Sequence, residues 1–269
     1  MNPGRLRRTA EFVLGPLVVR RRLPVDAGAG TIFASQRVGG LRYLLKRSRN
    51  WDPELINVAG LLVKPGHVVW DVGANVGLFS KAAAYHAGTR GAVISIEADI
   101  DAVTLLYRTC QRHSPAHAKM TVVPVAISDS PGFINFCIAK RSRSANFIEG
   151  FGSTQTGGVS EKRTLPCLTL DALLENFSPA DVLKIDVEGA EIDVLRGGAQ
   201  MIGNERPVIY CEVAKKVRGD FTQLLKNQDY RLWDGSGFKG TLGPEVSFAT
   251  FNTVAIPAEK VGDYEWPDA

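Results

Sequence analysis

Four acidic residues each stand at or near the end of a short apolar run. They are Asp71 in VVWDV (68–72), Glu97 after AVISI (92–96), Asp186 after VLKI (182–185) and Glu212 in PVIYCEV (207–213). Runs this short and dense predict strands buried on both faces, as in a parallel sheet. Ligands of open α/β sheets bind beyond the carboxyl ends of the strands, so four acids ending adjacent strands make one rim of a site. Glu188 and Glu191 follow Asp186 within KIDVEGAE. Carboxylates crowded in this way are costly unless they bind cations or hydrogen-bond donors, or share a proton. The dipole of the helix that follows favours acids at its start, which accounts for Glu188 and Glu191 better than for Asp186.

The run at 68–72 leads into a turn carrying Gly73, Asn75 and Gly77, then into a helical stretch from Leu78 to His86. Glycines there tolerate positive φ and let a backbone pass close to a ligand, so strand, turn and helix together predict a nucleotide pocket. Glu97 lies where an acid after the second strand accepts hydrogen bonds from a ribose diol. Asp71 argues against a dinucleotide, because a carboxylate repels pyrophosphate and attracts a ligand carrying an ammonium and a sulfonium. The expected ligand is S-adenosylmethionine. Ser128 and Asp129, after the third strand, fall where an adenine contact would be made.

The elements that must hold these residues follow from the pattern. A helix is expected over Pro53 to Leu62 with Asp52 as N-cap, and another over Ile100 to His113. Met120 to Ile127 reads as the third strand and Phe133 to Ile138 as an alternating one. The 139–163 stretch, with Lys140, Arg141 and Arg143, has little regular pattern and reads as a substrate-binding loop or lid, or as plain connector. Leu170 to Asn176 is a short helix capped by Thr169, and Asp220 to Gln228 a further helix. Tyr230 to Trp233 and Thr250 to Pro257 have no helix between them and must be antiparallel neighbours. The expected fold is α/β, with a Rossmann-like, seven-stranded, mostly parallel sheet whose last strand is antiparallel.

A chain of 269 residues with 45% hydrophobic residues can bury one full core. We expect one domain over 51–269 and a basic N-terminal extension over 1–50. The net charge of +4 is unevenly spread, since residues 1–50 hold eleven Lys and Arg against two acids. The extension therefore suits an anionic membrane surface or substrate, or is a solvated arm packing one apolar edge. Its apolar stretch, Phe12 to Val19, is far too short to span a bilayer, which takes about 20 residues. Cys110, Cys137, Cys167 and Cys211 have no metal spacing and read as thiols in a reducing compartment. The expected location is the cytoplasm, with peripheral contact at the inner membrane surface through the basic segment.

DVGANVGLFS at 71–80, the acid at 97, LKIDVEGAEIDVLRGGA at 183–199 and VIYCEV at 208–213 together resemble the FkbM family of methyltransferases. The likeness covers roughly residues 50–257. It implies the class I methyltransferase fold, S-adenosylmethionine as cofactor, and methylation of hydroxyls on sugars, glycolipids or polyketide-type small molecules, often in polysaccharide pathways. Carried over by position, it implies cofactor contacts by Asp71, Gly73, Asn75, Gly77 and Glu97, with Ser128 and Asp129 at the adenine. The family usually has proline after the second-strand acid, where this chain has Ala98.

Methyl transfer to a hydroxyl needs positioning and a base. Asp186 is the first candidate for the base, then Glu212, then Glu188. Asp186 with Glu212 could instead hold a divalent metal, and the sequence leaves that open. His86 and His113 fall on helices and read as surface or packing residues. The expected partner is a small-molecule or saccharide acceptor, with no nucleic acid and with oligomeric state undetermined. Two other readings compete, a methyltransferase acting on RNA or protein through the basic first 50 residues, and a non-catalytic membrane- or glycan-associated scaffold. A NAD-dependent oxidoreductase would want GxGxxG and no acid at 71.

Overall fold

The structure is a computed structural model that describes residues 17–35, 38, 52–140, 146–151, 157–236 and 241–264. Arg141, Arg143 and residues 1–16 lie outside the described residues. The described part of the N-terminal region is a hairpin, β1 (Val18–Arg22) antiparallel to β2 (Thr31–Ser35). It packs into the domain rather than standing apart from it. Leu23, Ile32 and Ala34 are buried in the same core as the helices, and Phe33 N donates to Thr109 Oγ1 at 3.1 Å.

Helix α1 (Pro53–Leu62) starts with proline at its first turn, where the missing N–H costs nothing, and Asp52 sits at its N-cap position without a side-chain capping bond. It delivers the chain to β3 (Val68–Val72), after which α2 (Leu78–Ala87), β4 (Ala92–Ile96), α3 (Ile100–Gln111) and β5 (Lys119–Val123) follow. The expected third strand over Met120 to Ile127 ends early. Pro124 has no N–H to give a ladder, and the chain leaves the sheet there. Beyond it β6 (Ala126–Ile127) joins a second sheet with β7 (Gly132–Ala139), β8 (Phe147–Ile148) and β9 (Val159–Leu168), in the order β6-β9-β7-β8. The 139–163 stretch therefore is not all loop. Its later residues form β9, whose largely exposed side chains alternate too weakly to announce a strand.

The chain then passes through α4 (Leu170–Leu173), capped by Thr169 Oγ1 accepting from Ala172 N at 3.0 Å. After it come β10 (Val182–Ile185), α5 (Glu191–Arg196), β11 (Val208–Glu212), α6 (Arg218–Lys226), β12 (Tyr230–Asp234), β13 (Glu245–Val246) and β14 (Asn252–Pro257). The main sheet runs β13-β12-β14-β11-β10-β3-β4-β5. Strands β3, β4, β5, β10 and β11 are parallel, and β14 lies antiparallel between β11 and β12, as expected from a sequence with no helical pattern between Trp233 and Thr250. The sheet has eight strands where seven were expected. The eighth is the two-residue β13 on the edge of β12.

Apolar residues fill both faces. Val69, Val93, Val182 and Val208 pack under α1, α2 and α3, while Trp70, Ile94, Leu183 and Ile209 pack against α4, α5 and α6. Among the described residues no helix is long and apolar enough to cross a membrane. The four cysteines are free thiols, three buried and Cys110 half-buried.

Candidate active site

Register decides which acids reach the rim. Val72 pairs with Ile96 and Ile185, and Ile185 with Cys211, so Gly73, Glu97, Asp186 and Glu212 come next in line on four adjacent strands. Asp71 is two residues lower, level with Ser95, Lys184 and Tyr210. Its side chain is 0% exposed and lines neither cavity at this end of the sheet. Asp71 Oδ2 accepts from Ser80 Oγ at 2.5 Å, and Lys184 Nζ lies 3.1 Å from Oδ1. The expectation that Asp71 meets a cationic ligand is therefore corrected, because a buried lysine already takes up its charge. Burial works against the Lys184 ammonium, but Asp71, Asp186 and Glu212 outweigh it and raise its pKa.

Two cavities open above this row and share a wall of Gly73, Asn75, Asp186 and Glu188. Gly73 stands at φ +76°, and a Cβ on it would lie 1.9 Å from the Asp186 carbonyl oxygen. Its glycine is thus demanded by the neighbouring strand end, which it allows to close on the turn. Gly77, at φ +87°, lines neither cavity; a Cβ there would meet Leu106. It shapes the start of α2.

The first cavity is centred on Glu97. Its Oε2 accepts from Asn75 N at 2.7 Å and its Oε1 from Asp99 N at 2.8 Å. Burial pushes the Glu97 carboxyl up to about 7, against the pull of those two N–H groups. A carboxylate offers about four lone-pair sites, so both oxygens can accept further donors. Asn75 holds a left-handed backbone at φ +51°, which asparagine tolerates, and its Oδ1 is buried without a hydrogen-bond partner. An acceptor left unmet in a cavity wall is what a donor-bearing ligand completes.

The cavity's apolar side comes from Ile96, Val125 and Ile127, and its roof from the second sheet through Phe136, Asn146 and Ile148. Asn146 Nδ2 donates to Asp99 Oδ2 at 2.8 Å, and Arg163 Nη1 lies 3.2 Å from Asp99 Oδ1, so the two sheets are tied at the site. Nothing in the spacing of Asn146 or Arg163 marked them beforehand. Ser128 and Asp129 do not line the cavity. Ser128 N donates to Leu168 O at 2.9 Å and its carbonyl packs on Gly197, while Val125, Ala126 and Ile127 line the cavity.

The second cavity is lined by Asp186, Glu188 and Glu212 with Tyr210, Phe251 and Asn252. Burial first, and then the charge of Asp186, pushes the Glu212 carboxyl up to about 8. Glu188 stands at the mouth with one side open to solvent. Packing on its other side and the charges of Asp186 and Glu191 push it up to about 7. Its backbone is left-handed at φ +52°, an uncommon state for a glutamate, and Gly189 follows at φ +107°. Glu191 Oε1 braces that turn by accepting from Gly189 N at 2.7 Å. Asp186 Oδ2 lies 3.5 Å from Lys184 Nζ. Among the described residues no group of three His, Cys, Asp or Glu converges to hold a metal ion.

A family model for the methyltransferase FkbM domain matches residues 71–232, the stretch that builds both cavities. The chain belongs to the FkbM methyltransferase family. No curated protein matches the sequence. Among solved structures, this FkbM methyltransferase is similar to methyltransferase FkbM from Methylobacillus flagellatus KT, with 13% identity over 71% of this chain and 43% of that one and a TM-score of 0.48. It spans less than half of that protein's length. It is also similar to Aeropyrum pernix fibrillarin, solved with natively bound S-adenosyl-L-methionine, at 12% identity over 89% and 92% of the two chains and a TM-score of 0.46.

Proposed function

We propose that this FkbM methyltransferase methylates a hydroxyl oxygen on a small-molecule acceptor of saccharide, glycolipid or polyketide type. The observation that carries the reading is the wall shared by the two cavities. A nucleoside held at Glu97 and an acceptor held at Glu212 would meet across Gly73 and Asn75. S-adenosylmethionine, when bound, supplies an electrophilic methyl group on sulfur. Asn75 and Glu97 hold the nucleoside, the apolar slot of Ile96, Val125 and Ile127 takes its base, and the second sheet excludes water from above. Aligning two bound reactants is worth about 7–11 kcal/mol of barrier, so positioning does much of the task.

The remaining need is a place for the hydroxyl proton. Glu212 suits it better than Asp186, because a base is most effective when its pKa lies near the working pH, and burial brings Glu212 to about 8. Asp186 faces the Lys184 ammonium, and its role is to hold the strand end beside Gly73. The acidic walls of the acceptor cavity disfavour a phosphate backbone, which supports a small-molecule acceptor over RNA.

Titration calorimetry with S-adenosylmethionine and S-adenosylhomocysteine tests the cofactor pocket, with NAD as control and Glu97→Ala as the variant. Binding of the first two, lost in the variant and absent for NAD, is expected. Labelled-methyl transfer to a panel of sugars, glycolipids and polyketides then tests the acceptor. Transfer to nitrogen or carbon with no transfer to oxygen would sink the O-methylation reading.

A further inference from the structure

The acceptor cavity is lined by Asp186, Glu188 and Glu212, and among the described residues its walls carry one cationic side chain, Lys184. That ammonium is already engaged. It donates to Gly73 O at 2.8 Å, and lies 3.1 Å from Asp71 Oδ1 and 3.5 Å from Asp186 Oδ2. Among the described residues the cavity thus has more carboxyl groups, Asp52 and Glu54 included, than cations.

A second observation points the same way and does not involve charge. Asn252 is 7% exposed and lines the cavity; its Nδ2 donates to Glu54, and its Oδ1 is buried with no hydrogen-bond partner. Asn252 pairs with Glu212 across β14 and β11, so the unmet amide oxygen and the carboxylate leave neighbouring strands at the same level. The next residue back, Phe251, is half exposed at the rim, where Val213 N donates to its carbonyl at 2.6 Å.

Such a wall wants donors. A hydroxyl brings one, whereas a protonated primary amine brings three together with a positive charge, and an aromatic face such as that of Phe251 attracts cations as well. An acceptor bearing phosphate or carboxylate would meet repulsion. A metal ion would need three or more ligands converging on one point, which the described carboxylates do not do.

We propose that the methyl acceptor carries a protonated amine, seated between Glu212 and the Oδ1 of Asn252, with the hydroxyl to be methylated turned toward the Glu97 pocket. The proposal rests on the methyltransferase reading of the same site. It also gives the acceptor a part in its own activation. A cation beside Glu212 favours the ionised carboxylate, so binding readies the base that burial otherwise holds protonated.

The test uses the full chain loaded with S-adenosylhomocysteine and two matched probe pairs, glucosamine against glucose and ethanolamine against ethylene glycol, with affinities from ligand-observed NMR at neutral pH. Each amine should bind about tenfold or more tighter than its hydroxyl partner, the gain of a charge-assisted hydrogen bond. That preference should fall toward unity in both Glu212→Gln and Asn252→Leu. Amines binding no tighter than their partners, or a preference unchanged in whichever variant folds, would overturn the proposal. Affinity for S-adenosylhomocysteine, measured on the same samples, separates the two readings. Its absence removes the methyltransferase assignment and this proposal with it, while its presence without an amine preference removes this proposal alone.

Discussion

Lys184 Nζ lies 3.1 Å from Asp71 Oδ1 across β10 and β3, and the same ammonium donates to Gly73 O at 2.8 Å. One buried lysine on β10 therefore ties β3 and the glycine turn to the strand end that Asp186 follows. Removing one partner of a buried pair leaves the other charge uncompensated, which costs about 3–5 kcal/mol. Lys184→Met should lose stability on that scale in urea denaturation. Asp71→Asn with Lys184→Met should cost clearly less than the two single changes added together. Strict additivity would show that the pair is not coupled.

Gly73 is the tightest point of the site. A methyl group at that position would stand 1.9 Å from the Asp186 carbonyl oxygen, and backbone at φ +76° disfavours a side chain in any case. Gly73→Ala should cost more than about 4 kcal/mol or fail to fold. Gly77→Ala, whose Cβ would meet the flexible Leu106 side chain at 2.7 Å, should be less damaging although its φ of +87° is also strained. Thermal unfolding of the two variants ranks them, and equal losses would mean that close approach to Asp186 is not the constraint.

These two positions also mark how much the sequence could disclose. The parallel strands, the turn and the acids at 97, 186 and 212 were legible because dense apolar runs and their terminal carboxylates are local patterns. Asp71 was misread for want of register. Nothing in VVWDV says that the acid stops two residues short of the rim, opposite a lysine over a hundred positions later. Pro124 was in plain view, but its effect, sending Ala126 and Ile127 to another sheet, depended on β9, whose exposed residues carry no periodic signal. Asn146 and Arg163 reach the site only through that second sheet. Asn252 was legible as a strand residue and not as a site residue, because its unmet oxygen is a property of packing.

Proton uptake by the buried acids should show in stability. Glu97 and Glu212 titrate ordinarily at 4.5 and are raised to about 7 and about 8 in the folded protein. The folded chain therefore holds protons that the unfolded chain has released, and stability falls as pH rises through that window. Burial lowers His67, His86 and His117 below their ordinary 6.5, which acts in the opposite sense, but only below that value. Between pH 6.5 and about 8 the carboxyls prevail, so stability of the ligand-free protein should decline there. Urea midpoints across this range should fall less steeply in Glu97→Gln with Glu212→Gln, with Glu188, raised to about 7, keeping part of the slope. An undiminished slope in that double variant would assign the decline to other groups.

The base should reveal itself by how its titration moves. In the free enzyme Glu212 is raised to about 8, so kcat/KM for the acceptor should rise with pH through about that value. With an amine-bearing acceptor bound, the neighbouring cation favours the carboxylate, and the same limb on kcat should lie lower. Glu212→Gln should remove both limbs and lower kcat by about 10²–10⁴-fold, the usual worth of a general base. Asp186→Asn should leave the limbs in place and act mainly through the Lys184 contact at 3.5 Å, with a smaller loss. If the limbs instead vanish in Asp186→Asn and persist in Glu212→Gln, Asp186 receives the proton. The two residues end neighbouring strands, so such an exchange of roles would move the acceptor hydroxyl by one strand spacing, about 4.8 Å, and leave the cofactor pocket unchanged.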